Sequence, residues 1–281
     1  MKEFLKKVLP PQLVRLTKRE YSQTSDKRPR KYDTYEAALA DCNADAYEND
    51  DIVRAVVEKN VRLRSSIEET KRLDLGALRT LIGIGLAKVG AEQKLNVIDF
   101  GGGGGYHYTI AKAALGNDFK LRWNVVETPA MTREAQRMRN SELRFFDCIE
   151  SASKDLGGVD LVFTSGALQY CPDPLNILKE LVRVRADYLF ITRTALNDEP
   201  NRLIIVQNSP LSHNGPGALP PGFVDRTVSY PAVFCPKQDF ESVIAQHYQI
   251  RFCITEDKAA YLAADKGVDM FGYFCVLASN A

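Results

Sequence analysis

The residues with the clearest chemistry stand in one short run: Asn96-Val97-Ile98-Asp99-Phe100, then Gly101-Gly102-Gly103-Gly104-Gly105. An apolar stretch that ends in a carboxylate and then in glycines suits a strand that turns sharply into a helix. It also leaves bare peptide groups against which a flat, polar ligand can lie. The N–H groups opening the helix that starts at Tyr106 remain as donors for that ligand. Further on, a second strand-like run, Trp123-Asn124-Val125-Val126, ends in Glu127. The separation is about that (~20 residues) at which a ribose-gripping acid follows a nucleotide loop.

The glycine spacing discriminates between ligands. A dinucleotide fingerprint needs glycine or alanine three places after its second glycine; Tyr106 and His107 occupy those places. The alternative spacing, Gly101-x-Gly103-x-Gly105 preceded by Asp99, is complete. A flexible linker would carry serine and would not sit between a strand and a helix.

Regular elements must hold this constellation in place. After Leu95 strands and helices alternate. The strands are expected at Leu95–Phe100, Leu121–Glu127, Leu143–Phe146, Asp160–Ser165 and Asp187–Thr192. The helices are expected at Tyr106–Leu115, Ala130–Arg139, Ser151–Leu156 and Pro174–Val184, the last with Asp173 as N-cap and Pro174 in its first turn. Such alternation implies a mostly parallel sheet covered on both faces, with the strand ends on one ligand-binding rim. A Pro- and Gly-rich stretch, Asn197 to Pro236, reads as a loop over that rim. A helix Gln238–His247 and strands Gln249–Thr255 and Gly272–Ala278 follow, the order that a reversed, antiparallel last strand requires. The expected fold is α/β: a Rossmann-like, seven-stranded, mostly parallel sheet with an antiparallel last strand, behind a helical N-terminal extension. Residues 1–34 form a basic amphipathic leader and linker. Residues 35–90 form the extension, with helices at Tyr35–Cys42, Asp51–Leu73 and Leu75–Val89, the last apolar enough all round to be buried. Residues 91–281 form the ligand-binding domain.

Composition narrows the class. The 281 residues carry 45% hydrophobic and 26% charged side chains, as an ordinary globular chain does. No apolar run approaches the ~20 residues needed to cross a bilayer, and the first residues do not form a secretory signal. Six scattered cysteines without a Cys-x-x-Cys pair argue against a zinc site or disulfide framework. They read as reduced thiols, mostly small buried hydrophobes, in a cytoplasmic protein. Residues 1–35 hold ten basic and four acidic side chains, against 27 and 32 in the rest. This basic leader, with Phe4, Leu5, Val8 and Leu9, reads either as a segment lying on the inner face of an anionic membrane or as a solvated tail. Nucleic acid fits poorly, because the body is mildly acidic and lacks a basic stripe interleaved with aromatics.

The run Val97–Gly105, Val125-Val126-Glu127, Phe145-Phe146-Asp147 and Asp160-Leu-Val-Phe-Thr-Ser-Gly-Ala-Leu-Gln-Tyr170 together resemble the class I, Rossmann-like S-adenosylmethionine-dependent methyltransferases. The resemblance spans about residues 90–280. Further pieces, Ile191–Leu196, Val206-Gln207 and Ser229-Tyr-Pro231, are similar to methyltransferases associated with bacterial surface-polysaccharide synthesis. The resemblance implies S-adenosyl-L-methionine as cofactor and a saccharide or other small molecule as methyl acceptor. It also implies that Gly101, Gly103 and Gly105 form the cofactor loop, that Glu127 accepts from the ribose hydroxyls and that Asp147 accepts from the adenine amino group. Asp99 either fixes the turn or meets the donor's ammonium group, and Ser165 begins a segment of small residues crossing the cofactor.

Of the histidines, His247 reads as a cap or packing residue and His107 as one that orients the loop. His213, in the loop over the rim, is the candidate general base, the imidazole being tuned near neutrality. Tyr170, Arg193 and Gln207 are candidates for the acceptor pocket from their places after the fourth and fifth strands. Two other readings stand beside this one: a nicotinamide-dependent oxidoreductase, disfavoured by the glycine spacing, and a catalytically silent scaffold of the same fold. The oligomeric state is left open.

Overall fold

The computed structural model describes residues 29–42, 46–87, 94–256 and 267–279. The basic leader's amphipathic segment therefore lies outside the described residues. Seven strands form the expected plan: β2 (Lys94–Phe100), β3 (Lys120–Val126), β4 (Leu143–Phe146), β5 (Leu161–Ser165), β6 (Tyr188–Asn197), β9 (Tyr248–Glu256) and β10 (Val268–Leu277). They lie in the order β4-β3-β2-β5-β6-β10-β9, with β10 antiparallel to both its neighbours and the first five strands parallel.

Both faces of this sheet are covered, which is why its central strands read as apolar runs rather than alternating ones. On one face Leu95, Val97, Trp123, Phe163 and Phe190 pack under α2 (Asp50–Thr70), α3 (Ala77–Ala87), α4 (Tyr106–Leu115) and α5 (Pro129–Ala135). On the other, Ile98, Val162 and Leu189 pack under α6 (Ile149–Leu156), α7 (Pro174–Arg183) and α8 (Lys237–Ala245). The start of α7 is local chemistry: Asp173 Oδ1 accepts from the Asn176 N–H at 3.1 Å, and Pro174 sits where no N–H is needed.

Three features differ from the sequence reading. The stretch 197–236 is not a loop throughout. It contains β7 (Leu203–Pro210) and β8 (Thr227–Pro236), an antiparallel pair that makes the sheet ten-stranded together with β1 (Lys31–Tyr32). Its prolines and glycines concentrate in the connector between the two strands. Pro231 is tolerated because β8 has β7 alone beside it until Cys235 and Pro236 reach β6, an edge-like setting. The second difference is at α3. Leu78 is 50% and Ile82 44% exposed, so this apolar helix is buried along one side only. The third is the cysteines, of which only Cys235 and Cys275 are buried; none is in a disulfide. Among the described residues no helix is long and apolar enough to cross a membrane.

The addition decides where the site lies. β6 runs on past the end of β5, and β8 joins it at Leu196 and Asn197, on the side that β5 has vacated. The β1-β7-β8 layer therefore stands over the rim at which β2, β3 and β5 end. Helix α1 (Tyr35–Ala40) buries Ala38 against Ile204, Val233 and Cys235 of this layer. Its first turn is held by Thr34, whose hydroxyl accepts from the Ala37 N–H at 3.1 Å.

Candidate active site

β2 ends at Phe100, and its ladder with β3 extends one step further when the Gly101 N–H donates to the Val126 carbonyl at 2.9 Å. Gly101, Gly103 and Gly105 have φ of +74°, +56° and +87°. At Gly101 the left-handed conformation coincides with a close approach, since a Cβ there would stand 2.1 Å from that of Ala167. The loop thus abuts the segment Ser165-Gly166-Ala167. Ser165 itself ends β5 and accepts from the Thr192 hydroxyl at 2.9 Å.

Asp99 lies beneath this turn with none of its surface exposed. Its Oδ1 is 3.0 Å from His107 Nδ1, and its Oδ2 accepts from the Trp123 indole N–H at 3.0 Å. The pair requires the His107 ring to carry its proton on Nδ1. Gly102 has no Cβ for the same reason, as one would come within 2.3 Å of Oδ2. These contacts tie the turn to α4 and β3 through Asp99, whose carboxylate is fully enclosed beneath it.

Glu127, at the end of β3, closes the loop from the other side. Its Oε1 accepts from the Gly103 N–H at 2.9 Å and its Oε2 from the Thr128 N–H at 3.0 Å. Each oxygen keeps a further lone pair, and the side chain remains partly accessible. Burial pushes this carboxyl up to about 7, against the two N–H donors that favour its charge. Asp147, one strand over, is exposed at the end of β4, next to Phe146, whose carbonyl accepts from the Glu127 N–H at 3.0 Å.

The helical extension reaches the glycine loop as well. Asn60 of α2 presses on Gly104, its side-chain atoms 2.9–3.1 Å from where a Cβ would stand. Its Oδ1 is buried without a hydrogen-bond partner. The signal available in the sequence was a polar residue four places after Val56 on an otherwise apolar helix face. One residue earlier, the ammonium of Lys59 is buried and donates to the carbonyls of Ser212 and Asn214 at 2.6 and 2.8 Å. Burial draws this ammonium below its ordinary pKa. Lys59→Met leaves two carbonyls without a charged donor and is expected to destabilise the fold by about 2–3 kcal/mol in urea unfolding. A variant as stable as the parent would show that the clasp contributes nothing.

Beyond the crossing segment lies an aromatic cluster of Tyr47, Tyr170 and Tyr230. Tyr170 stacks on Tyr47 with ring centroids 5.6 Å apart, and Tyr230 meets both edge-on at 5.1 and 5.2 Å. The Tyr170 hydroxyl donates to Gln207 Oε1 at 3.0 Å, and Gln207 Nε2 donates to the Tyr230 hydroxyl at 3.2 Å. Ser209 Oγ lies 2.8 Å from the same hydroxyl, which donates to Asn214 Oδ1 at 3.3 Å. The structure therefore brings Tyr170 and Gln207 together. Gln207, only 6% exposed, holds the tyrosines by an amide already spent on both of them. Burial, with Glu127 nearby, pushes the Tyr47 phenol well above 10, and burial raises that of Tyr230 too. Both stay neutral at physiological pH, as hydrogen-bonding and packing groups rather than bases. Tyr47 had no signal of its own, and Tyr230 appeared only within the run Ser229-Tyr-Pro231, because the two come from segments far apart in the chain.

His213 ends a short turn, Leu211–His213, and is exposed beside Asp225. The same turn buries Leu211 and Asn214 instead. Arg193 is exposed on the rim with its guanidinium against Gly166, within electrostatic reach of Tyr47.

No family model and no curated protein matches the sequence. Solved structures with a similar fold include the N-terminal domain of EvdMO1 with SAH bound (12% identity, 72% of this chain and 81% of that one, TM-score 0.44). They include an S-adenosylmethionine-dependent methyltransferase from Clostridium acetobutylicum ATCC 824 (11%, 78% and 98%, TM-score 0.44). A third is the magnesium protoporphyrin IX methyltransferase ChlM from Synechocystis PCC 6803 with bound SAM (13%, 84% and 100%, TM-score 0.43). At this level of likeness, activity has to be inferred from the chain's own geometry.

Proposed function

We propose that this chain transfers a methyl group from S-adenosyl-L-methionine to an oxygen of a saccharide or saccharide precursor, in the synthesis of a cell-surface polysaccharide. The observation that carries the reading is the closure of the glycine loop onto the acid of the next strand, Gly103 N–H to Glu127 at 2.9 Å. Those two walls offer what a nucleoside needs: bare main chain on one side and free carboxylate lone pairs for two adjacent hydroxyls on the other. Asn60, whose side chain packs on Gly104, has an unpartnered Oδ1, an acceptor that an ammonium group would satisfy, so the residues present fit the donor.

When bound, the donor supplies an electrophilic methyl group on sulfur. The chain's own part is to hold and align. Glu127 and the loop grip the nucleoside, and Asp147 is the acceptor available to its base. Ser165–Ala167 form a thin wall, and the cluster of Tyr47, Tyr170 and Tyr230 supplies a flat surface for the acceptor. Alignment of this kind can contribute ~7–11 kcal/mol. His213 remains the candidate base, on a turn that Lys59 anchors. Its exposure requires that the acceptor itself extend to it, so His213→Ala with normal turnover would dismiss the role.

Calorimetric titration with S-adenosylhomocysteine and with NADH tests the reading: binding of the first in the micromolar range and none of the second is expected. The opposite result would overturn it. Incubation of labelled donor with cell-envelope extracts then identifies the acceptor.

A further inference from the structure

Arg193 sits where a strand would not ordinarily place an arginine. The register of β10 on β6 shifts between Phe271 and Tyr273, so Thr192 and Arg193 together face Gly272. This is a bulge, a device that re-aims a side chain. Arg193 adopts φ of +55° within it, a conformation that disfavours any residue with a Cβ. The backbone is held there from outside: the Arg193 N–H donates to Glu256 Oε1 at 2.6 Å. The Glu256 side chain is 6% exposed and is itself clamped by Arg79 at 2.6 Å. Gly272 keeps the room clear, since a Cβ there would come within 3.0 Å of the same oxygen.

The result is a guanidinium laid against Gly166, 3.5 Å from where a Cβ would stand. It has no carboxylate partner among the described residues. β5 lies between β2 and β6, and Ala167 abuts Gly101. The crossing segment Ser165–Ala167 thus touches the glycine loop at Ala167 and Arg193 at Gly166, so that Arg193 stands across it from Gly101. Its charge is felt at Tyr47 and at Tyr106. A planar, permanently charged fork with free donors, beside a neutral aromatic surface, suits a carboxylate or phosphate.

We propose that Arg193 binds an oxyanion carried by the methyl acceptor, so that the substrate is an acidic sugar or a sugar phosphate and not a neutral sugar. The inference rests on the reading that this rim holds the acceptor.

The test uses the full chain loaded with S-adenosylhomocysteine and titrated with inorganic phosphate, acetate and glucose. Phosphate and acetate are expected to bind and glucose not; phosphate tighter than acetate assigns a sugar phosphate, the reverse order an acidic sugar. Arg193→Gly keeps the backbone conformation and removes the fork. It should weaken oxyanion binding at least tenfold, melt at or above the parent temperature, and bind S-adenosylhomocysteine within twofold of the parent. Arg193→Lys should retain part of the oxyanion affinity. A parent that binds neither anion, or an Arg193→Gly variant that binds them equally well, overturns the proposal. So does a tenfold loss of S-adenosylhomocysteine affinity in that variant, which would assign the arginine to the donor's carboxylate. Failure of the parent to bind S-adenosylhomocysteine at all is a separate outcome. It sinks the methyl-transfer reading, and the anion titrations of the unloaded chain still decide the role of Arg193.

Discussion

Gly101→Ala is expected to reduce S-adenosylhomocysteine affinity at least a hundredfold and to destabilise the fold by about 2–5 kcal/mol. Two costs combine. A Cβ at φ of +74° carries about 1–2 kcal/mol of backbone strain. It would also stand 2.1 Å from the Ala167 Cβ, an overlap that must be relieved by moving a main chain, at about 1–3 kcal/mol. The movement matters more than the energy, because it shifts the loop's N–H groups away from Glu127. Urea unfolding and calorimetric titration read the two effects separately. Ala167→Gly in the same chain should recover the contact part of the stability loss and leave the conformational part. An alanine variant that binds as the parent does would remove the loop from the site.

Glu127→Gln is expected to weaken S-adenosylhomocysteine binding at least tenfold, about 1.4 kcal/mol, and to abolish its pH dependence. The carboxylate satisfies two N–H donors, Gly103 and Thr128, with two oxygens. An amide has one acceptor oxygen, so one donor is left unpaired at about 1–3 kcal/mol. The pH behaviour follows from burial, which raises the carboxyl from 4.5 to about 7. Between those values the folded chain holds a proton that the unfolded chain has lost. The unfolded state then binds fewer protons, and this group's contribution to stability falls as pH rises through that window. Ligand affinity runs the other way. Hydroxyl donors favour the ionised form, so binding should strengthen as pH rises towards and through 7 and level off above it. Titrations at pH 6, 7 and 8 decide this; a profile as steep in the glutamine variant as in the parent would assign the titration to another group.

Much of the architecture was legible because it is written in contiguous residues. A strand that ends in glycines has few ways to continue. The expected Leu95–Phe100 is observed as Lys94–Phe100, and Tyr106–Leu115 is found as such. The cap at Asp173 and the proline after it set the start of α7 without help from the rest of the chain. The antiparallel placement of the last strand followed from the order of elements. β7 and β8 were missed because the prolines and glycines of their connector masked two strand-like runs, Leu203–Val206 and Tyr230–Phe234. A two-stranded ribbon is stabilised by what it packs on, here α1 and the extended end of β6, and not by local preference.

Which polar groups remain free for a ligand was decided by tertiary structure alone. Asp99 and Glu127 are both acids near the ends of neighbouring strands, yet one is sealed beneath the turn with His107 and Trp123 and the other stays partly accessible. Tyr47, Tyr170 and Tyr230 meet only because the β1-β7-β8 layer folds over the rim, and Asn60 reaches Gly104 only because α2 packs on the same face. Turns, caps and strand ends arise from the conformational limits of adjacent residues, so spacing reveals them. Burial, desolvation and the pairing of distant side chains arise from how the layers pack, and no stretch of sequence contains that information by itself.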